Sequence, residues 1–455
     1  MLDQKLTDDF MKAYETYKHD FDRVKEAVAN SKAIYKGAPV PYLYLPMLYF
    51  DQDIDTFKYA LRGIHDISKR TIELYLEDES VRQLFNFDSR LDALIRVPHH
   101  YDTTVPMGRF DIFYYGEGSF QFCELNADGA SAMNEEFELS KIMSQTELLN
   151  SVKDTYDFQA FELFHSWVAE VKSIYASYLK NTGKSSAFTQ ETTTDNTPHK
   201  GSPFVAILDF IDKGSPLEFE MFRDAFIDGG FECEIVDPRD LTEIDGKLYI
   251  KDRAIDIIYR RLVTKDLMDR YDEVPALING LLAGKTCVIG SIKTQVIHTK
   301  RFFEVLYDGG LRAKLSSDQI AFIDKHVPFT RPLKRDERFE DYLEHKDAYI
   351  IKPVDYYASK GVCAGKDYTN EAWESLLEEK VNEDFIIQKY CPLALTKNLY
   401  EAADGDVEVK DYSTITGLFT YNEKLAGIYV RAGLNAIISG LHDGYTMSTL
   451  KVIKK

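Results

Sequence analysis

A mixed α/β architecture of several domains is the fold class this sequence predicts, and three stretches predict it. Arg109 to Asn126, RFDIFYYGEGSFQFCELN, alternates large apolar with polar residues on either side of GEGS, the pattern of two antiparallel strands joined by a tight glycine turn. From Phe204 onward, FVAILDF, FECEIVD, AIDIIYRR and KTCVIGS are apolar runs separated by helical and turn sequence, as in buried parallel strands. Residues 5–30 instead carry Phe10, Tyr14, Tyr17, Phe21, Val24 and Val28 at alternating four- and three-residue intervals, one stripe of a long amphipathic helix.

The 455 residues are enough for about two or three domains with a large core. The formal charge of -20, from 75 acidic against 55 basic residues, argues against a nucleic-acid partner, because phosphate neutralisation needs clustered Lys and Arg. Cys123, Cys233, Cys287, Cys363 and Cys391 show no CxxC or Cys/His spacing, so neither a disulfide framework nor a zinc site is expected, and a reducing compartment is. The opening MLDQKLTDDF is too polar for a signal peptide, and no run approaches the roughly 18 apolar residues of a membrane span. The expectation is a cytoplasmic protein without a membrane partner.

Taken in order, residues 1–90 read as a helical N-terminal region. A second helical pattern runs from about Asp53 to Phe87, and KGAPVPYLYLP before it must be extended because of its three prolines. Residues 91–180 hold the hairpin and further helices. NADGASAMNEEFEL is a turn entering a helix near Glu135, with Asn134 as the expected N-cap, and another helix is expected over about 157–180. The polar tract 181–202 reads as a linker or mobile insertion.

Residues 203–295 form a small doubly wound α/β domain, with a helix from about Pro216 to Ile227. No GxGxxG follows its first strand, so a Rossmann dinucleotide site is unsupported. Arg260 and Arg261 end a buried strand, where open sheets hold ligands; a carboxylate or phosphate contact and an internal ion pair are both open.

In 296–455, Lys300 opens a helix expected to end at Gly309 and Gly310. The strand Tyr349 to Lys352 delivers a lysine just before a loop ending in SKG. There the Ser359 hydroxyl, Lys360 and the Gly361 amide suit concentrated negative charge. The Walker A pattern is absent. Gln388 ends the apolar strand of EDFIIQKY, and TITGLFTYN with KLAGIYVRA makes a closing pair that carries Arg431, with Asn435 four residues beyond.

Within the hairpin, period-2 geometry puts Arg109, Asp111 and Phe113 on one face of the first strand and Phe122, Glu124 and Asn126 on one face of the second. In-register pairing about GEGS would converge a guanidinium, two carboxylates and a carboxamide. Such oxygen ligands suit Mg²⁺ held together with nucleotide phosphates. A plain amphipathic hairpin with a solvated charged face is the alternative.

In order and spacing, RFD, ELNAD, the helical Lys300, IKP with SKGV, IIQKY, and GIYVR followed by Asn435 and IIS resemble the synthetase half of the glutathionylspermidine synthase family. That family belongs to the ATP-grasp superfamily, with its metal-binding acids placed early in the chain. The likeness spans about 95–140 and 285–440, and the family's amidase half has no counterpart here. The resemblance implies an ATP-grasp-like fold whose small doubly wound domain is preATP-grasp-like, with nucleotide-binding lobes over 296–455.

It further implies ATP and Mg²⁺ as cofactors. Asp111, Glu124 and Asn126 would ligate the metal, and Arg109 would contact the transferred phosphoryl group. Lys300 and Lys352 would hold the phosphates, together with Ser359 and Gly361 of a closing loop over Asp355 to Gly361. Gln388 would lie on the strand leading to the adenine pocket, and Arg431 beside the reacting carboxylate. The implied reaction joins a small-molecule carboxylate to an amine through an acyl phosphate. A phosphoryl transferase on the same scaffold, and a nucleotide-binding regulator without turnover, are the other readings.

Overall fold

The computed structural model describes residues 2–35, 37–184, 201–212, 214–354, 360–402, 406–435, 437–438 and 444–455. It has the mixed α/β architecture expected from the sequence. Two antiparallel sheets face each other across a cleft, and a parallel sheet with helices on both faces stands beside them.

The hairpin forms where the alternating pattern places it, as Met107–Gly116 paired with Ser119–Asn126. Glu117 and Gly118 take positive φ values of 49° and 78°, the turn geometry that matches strand twist. The hairpin belongs to a six-stranded sheet whose axis is the long strand Val407–Tyr421. Lys424–Gly433 runs along one side of that axis. On the other side the hairpin covers its second half and Ala394–Glu401 its first.

One prediction about the hairpin faces is corrected. The pairing shifts between Asp111 and Ile112: Asp111 lies opposite Glu124, and Ile112 opposite Phe122, leaving Cys123 as the extra residue of a β-bulge. Strict alternation would keep Phe122 with Glu124 and Asn126. The bulge instead turns Phe122 to the core with Phe110, Ile112, Phe120 and Leu125, where these pack against Phe57 and Ile64 of the helix Asp51–Glu77.

The second antiparallel sheet has the order Thr330–Pro332, Phe385–Lys389, Tyr349–Pro353, Cys363–Ala364. The parallel sheet has the order Cys287–Ile289, Ile257–Arg260, Phe204–Leu208, Glu232–Val236. Its alternate residues Val205, Ile207, Ile257 and Tyr259 pack on Phe222 and Phe226 of the helix Pro216–Asp228. Ala206, Leu208 and Ile258 pack on Leu277 and Leu281 of Pro275–Ala283. Helices on both faces explain why these strands read as continuous apolar runs.

Several helix boundaries differ from expectation, each for a local reason. The N-terminal stripe is split into Leu2–Lys12 and Tyr14–Ala29, because Ala13 leaves the helical region with ψ at 36°. The turn lets Phe10 and Phe21 close around Tyr44, with ring centroids 5.4 and 5.1 Å from it. The second helix stops at Glu77, and Asp78 caps a new one, Glu79–Phe85, by accepting from the Ser80 amide. The helix expected over 157–180 spans His165–Thr182, its first amides bound by the Glu162 carboxylate, and a strand Tyr156–Gln159 precedes it. Beyond Lys300 the helix Arg301–Val305 ends early, and Asp308 caps a fresh turn, Gly309–Arg312, so the glycines begin an element and do not end one.

Asn134 is also not an N-cap. It lies inside the first turn of Met133–Met143, and its amide donates to the Lys32 and Ile34 carbonyls. Glu218 caps that helix, accepting from the Met133 amide at 2.8 Å. Among the described residues no helix is long and apolar enough to cross a membrane.

Gly63 gives the packing a direct test. A Cβ added there would lie 2.2 Å from the Phe322 ring. Gly63→Ala is expected to lower stability, its overpacking cost of about 1–3 kcal/mol exceeding a helix-propensity gain of at most ~1 kcal/mol; urea denaturation measures the difference.

Candidate active site

The polar face of the hairpin lines the cleft. Arg109 stands opposite Asn126 and Asp111 opposite Glu124, so four of the predicted residues meet on two adjacent rungs. The strand Val407–Tyr421 runs beside them, and Ile415 on it pairs with Arg431, the fifth. Asp111 is wholly buried. Its carboxylate accepts from Arg109 Nε at 2.9 Å and from Arg431 at 2.5 Å, and the Asn126 amide lies 3.4 Å away. The second Arg109 arm donates to the Ser131 carbonyl at 2.9 Å, and its guanidinium lies 5.2 Å from the Tyr429 ring centre.

Glu124 sits one rung across. Burial pushes its carboxyl upward, but Lys300, Arg431, the Asn126 amide and Lys352 together outweigh this and bring it down to about 2. It is ionised at any pH the protein meets.

The second sheet supplies the lysine. Lys352 donates to Gln388 Oε1 at 2.8 Å and reaches the Cys123 carbonyl at 3.4 Å, so the bulged residue of one sheet touches the cation of the other. Gln388 is buried, and its Nε2 donates to Thr330 at 2.8 Å. Its amide is therefore committed to holding Lys352. Lys300 faces the same space, its amide bonded to the Val354 carbonyl. Gly361 adopts φ 75° against Pro353. Ser359 and the rest of 355–359 lie outside the described residues.

These groups line a cleft between the sheets. Lys300, Lys352, Glu124 and Arg431 form its polar end, while Phe113, Ile350, Ile415 and Ile438 make an apolar wall. Glu124 and Arg431 also border a second cavity, lined by Arg109, Asn126, Glu135 and Tyr429. Tyr35, Gly129, Ser131 and Val263 also line a third cavity, at the carboxyl ends of the parallel strands. The first and second spaces share Glu124 and Arg431 in their linings, and the second and third share these four residues.

Arg260 and Arg261 do not offer free guanidinium groups to these cavities. Arg260 pairs with buried Asp128 at 2.5 Å, and Arg261 with buried Glu218 at 2.6 Å. Of the two readings open at that strand end, the internal ion pair is the one the structure has.

Two features of the site escaped the sequence reading. Gly417 lies opposite Asp111, and a Cβ there would come within 2.8 Å of both Arg109 Cδ and Asp111 Oδ1. A glycine inside a strand marks close approach, so ITGLF held that signal. Glu135 and Glu136 look like ordinary first-turn acids, yet both are buried. Glu136 accepts from the Thr449 amide and hydroxyl at 2.9 and 2.8 Å, and burial raises its pKa well above the ordinary Glu value.

The donor set fits a magnesium ion held partly by phosphates. Two carboxylates and a carboxamide converge, whereas no group of three or more His, Cys, Asp or Glu suited to a metal occurs among the described residues. The Asn126 amide is oriented with its NH₂ toward the carboxylates; with its oxygen there it would act as a ligand.

Neither a protein-family model nor a curated protein matches this sequence. Among solved structures, the chain is similar to a protein assigned as a gamma-glutamylcysteine synthetase from Methylobacillus flagellatus, with TM-score 0.42 and 10% identity over 89% of each chain. It is also similar to a RimK domain ATP-grasp protein from Sphaerobacter thermophilus, with TM-score 0.29 and 14% identity over 55% of this chain and 90% of that one. A third is the ATP-grasp ligase PsnB in complex with a precursor variant, Mg and ADP, with TM-score 0.30 and 16% identity over 56% and 89%.

Two variants test these placements. Gly417→Ala is expected to displace Arg109 and Asp111, lowering activity by about 100-fold and stability by about 1–3 kcal/mol; steady-state rates and urea denaturation read the two losses separately. For Glu136, a raised folded pKa means its stabilising contribution is complete below the ordinary value of 4.5 and is lost as pH rises toward the folded value. Glu136→Gln is therefore expected to gain on the wild type by at most about 1.4 kcal/mol per pH unit above 4.5, read from urea midpoints between pH 5 and 8.

Proposed function

We propose that this protein is an ATP-dependent ligase of ATP-grasp type that joins a carboxylate to an amine, releasing ADP and phosphate. The observation that carries the reading is the composition of the shared boundary between the cavities. Four cationic side chains, Arg109, Arg431, Lys300 and Lys352, surround two carboxylates and an amide, with an apolar-walled cleft on one side and a roomy polar cavity on the other. Phosphoryl transfer asks a protein mainly for positioning and charge neutralisation, and this set provides both.

In this reading the nucleotide occupies the cleft between the sheets, its base against the apolar wall and its phosphates toward Lys300 and Lys352. Gln388 fixes Lys352 through their 2.8 Å bond and does not itself read the base. Asp111, Glu124 and Asn126 would hold Mg²⁺, which when bound neutralises the phosphates and aligns them. Arg431 must then leave Asp111, and its guanidinium becomes available to the reacting carboxylate. Arg109 stays clamped between Asp111 and Ser131 and presents a fixed positive charge to the transferred phosphoryl group.

The acid and the amine would enter from the second and third cavities. The motif order of this chain resembles that of the synthetase half of glutathionylspermidine synthases, which is proposed as the wider kinship. The hairpin and its following helices, the small α/β unit over 203–295 and the lobes over 296–455 are proposed as the corresponding domains.

Incubation with ATP and Mg²⁺ against paired panels of carboxylic acids and amines, with mass spectrometry of products, is the direct test. ADP release that requires both an acid and an amine, with the mass of their condensation product, is expected; a phosphorylated acid or alcohol as the end product would make the enzyme a kinase. Glu124→Gln and Lys352→Ala should each lower turnover by about 100-fold or more with unchanged melting temperature. Wild-type rates in either variant would sink the site assignment.

A further inference from the structure

The amine that attacks an acyl phosphate must surrender a proton, and the residues assigned above leave no base to take it. Three carboxylates border the cavity in which the amine would sit: Glu124, Asp128 and Glu135. Glu124 is ringed by cations and belongs to the metal set. Asp128 is locked to Arg260 at 2.5 Å. Among the described residues Glu135 alone of the three has no cation in ion-pair range: Oε2 accepts from the Tyr429 hydroxyl at 2.9 Å and lies 3.4 Å from the Thr446 hydroxyl.

Its position is fixed by sequence and topology. Glu135 is in the first turn of Met133–Met143, which begins a few residues after Asn126 at the end of the hairpin. Tyr429, which holds it, is on the same strand as Arg431, and the Tyr429 ring backs the Arg109 guanidinium. A proton acceptor, the phosphoryl-contacting arginine and the carboxylate-contacting arginine are therefore tied together through one tyrosine.

Resting on the ligase reading, we propose that Glu135 is the general base of the second half-reaction. The amine nitrogen forms its bond to the acyl carbon, the bond from that carbon to the phosphate oxygen breaks, and phosphate departs with the electron pair. The proton on the nitrogen passes to the Glu135 carboxylate and from there to solvent.

The surroundings suit the role. Burial, the largest influence, raises the carboxyl, the Tyr429 hydroxyl bond lowers it, Glu218 on the neighbouring helix raises it, and Arg109 and Thr446 lower it, leaving it at about 7. On its own helix Glu136 points to Thr449, and Glu138 pairs with Lys141 at 3.9 Å. A base with this value is partly ionised at neutral pH and strong enough to accept from an amine in the transition state.

Hydroxylamine provides the discriminating probe, since it attacks acyl phosphates without prior deprotonation by a base. The wild type and Glu135→Gln are compared with the acid found in the ligase assay, once with hydroxylamine and once with the amine partner, between pH 6 and 9. The expected result is hydroxamate formation within about twofold of wild type but amide formation down by about 100-fold at pH 7, recovering as the pH rises and free amine accumulates. Tyr429→Phe keeps the carboxylate and removes only its tether. It should retain most amide formation with its lower pH limb displaced.

Equal losses of hydroxamate and amide in Glu135→Gln, or a Tyr429→Phe variant as impaired as Glu135→Gln with an unmoved pH profile, would make Glu135 a structural support and overturn the assignment alone. Absence of acid-dependent ADP release from the wild type would overturn the ligase reading and this assignment with it.

Discussion

A carboxylate buried as completely as that of Asp111 is costly unless cations and hydrogen-bond donors surround it. Its partners come from three strands: Arg109 from its own, Asn126 from the other arm of the hairpin and Arg431 from the far side of Val407–Tyr421. Each must arrive in register, so the pairings of Asp111 with Glu124, of Asp111 with Gly417 and of Ile415 with Arg431 are fixed together. Gly417 is the steric condition for this arrangement, because any side chain there would occupy the space of the Arg109 to Asp111 contact. The bulge at Cys123 is the geometric one, since it keeps Glu124 on the cleft face while sending Phe122 into the core.

The same cluster concentrates charge against the protein's overall sign. The chain carries a formal charge of -20, yet where the two cavities meet, Arg109, Arg431, Lys300 and Lys352 gather around Asp111 and Glu124. Low-dielectric walls strengthen such a field and narrow it to one spot.

Much of this was legible in the sequence, and the limits have physical causes. RFDIFYYGEGSFQFCELN announced a hairpin because alternation and a glycine turn are local signals, and four apolar runs announced a parallel sheet because strands covered on both faces lose their polar positions. A bulge leaves no compositional trace, so the side to which Phe122 points was misread. Asn134 looked like an N-cap because Asn in front of two acids usually is one; the Glu218 carboxylate, 85 residues away, took the role instead. Glu135 and Glu136 resembled solvated first-turn acids, and only the packing of the last strands over that turn shows that they are buried. Arg260 and Arg261 were undecided for the same reason: their partners, Asp128 and Glu218, are tertiary neighbours.

The strand Thr449–Lys454 is the middle member of a three-stranded sheet, parallel to Met47–Tyr49 and antiparallel to Tyr156–Gln159. Its Thr449 also satisfies Glu136. Both flanking strands, and the hairpin edge that pairs with Val407–Tyr421, precede their partners in the chain by roughly 300 to 400 residues. Closing contacts across 300 to 400 residues is entropically expensive and slow. The open strand edges and the central acid are thus satisfied only by segments that come much later in the chain, so these early elements have no finished packing of their own.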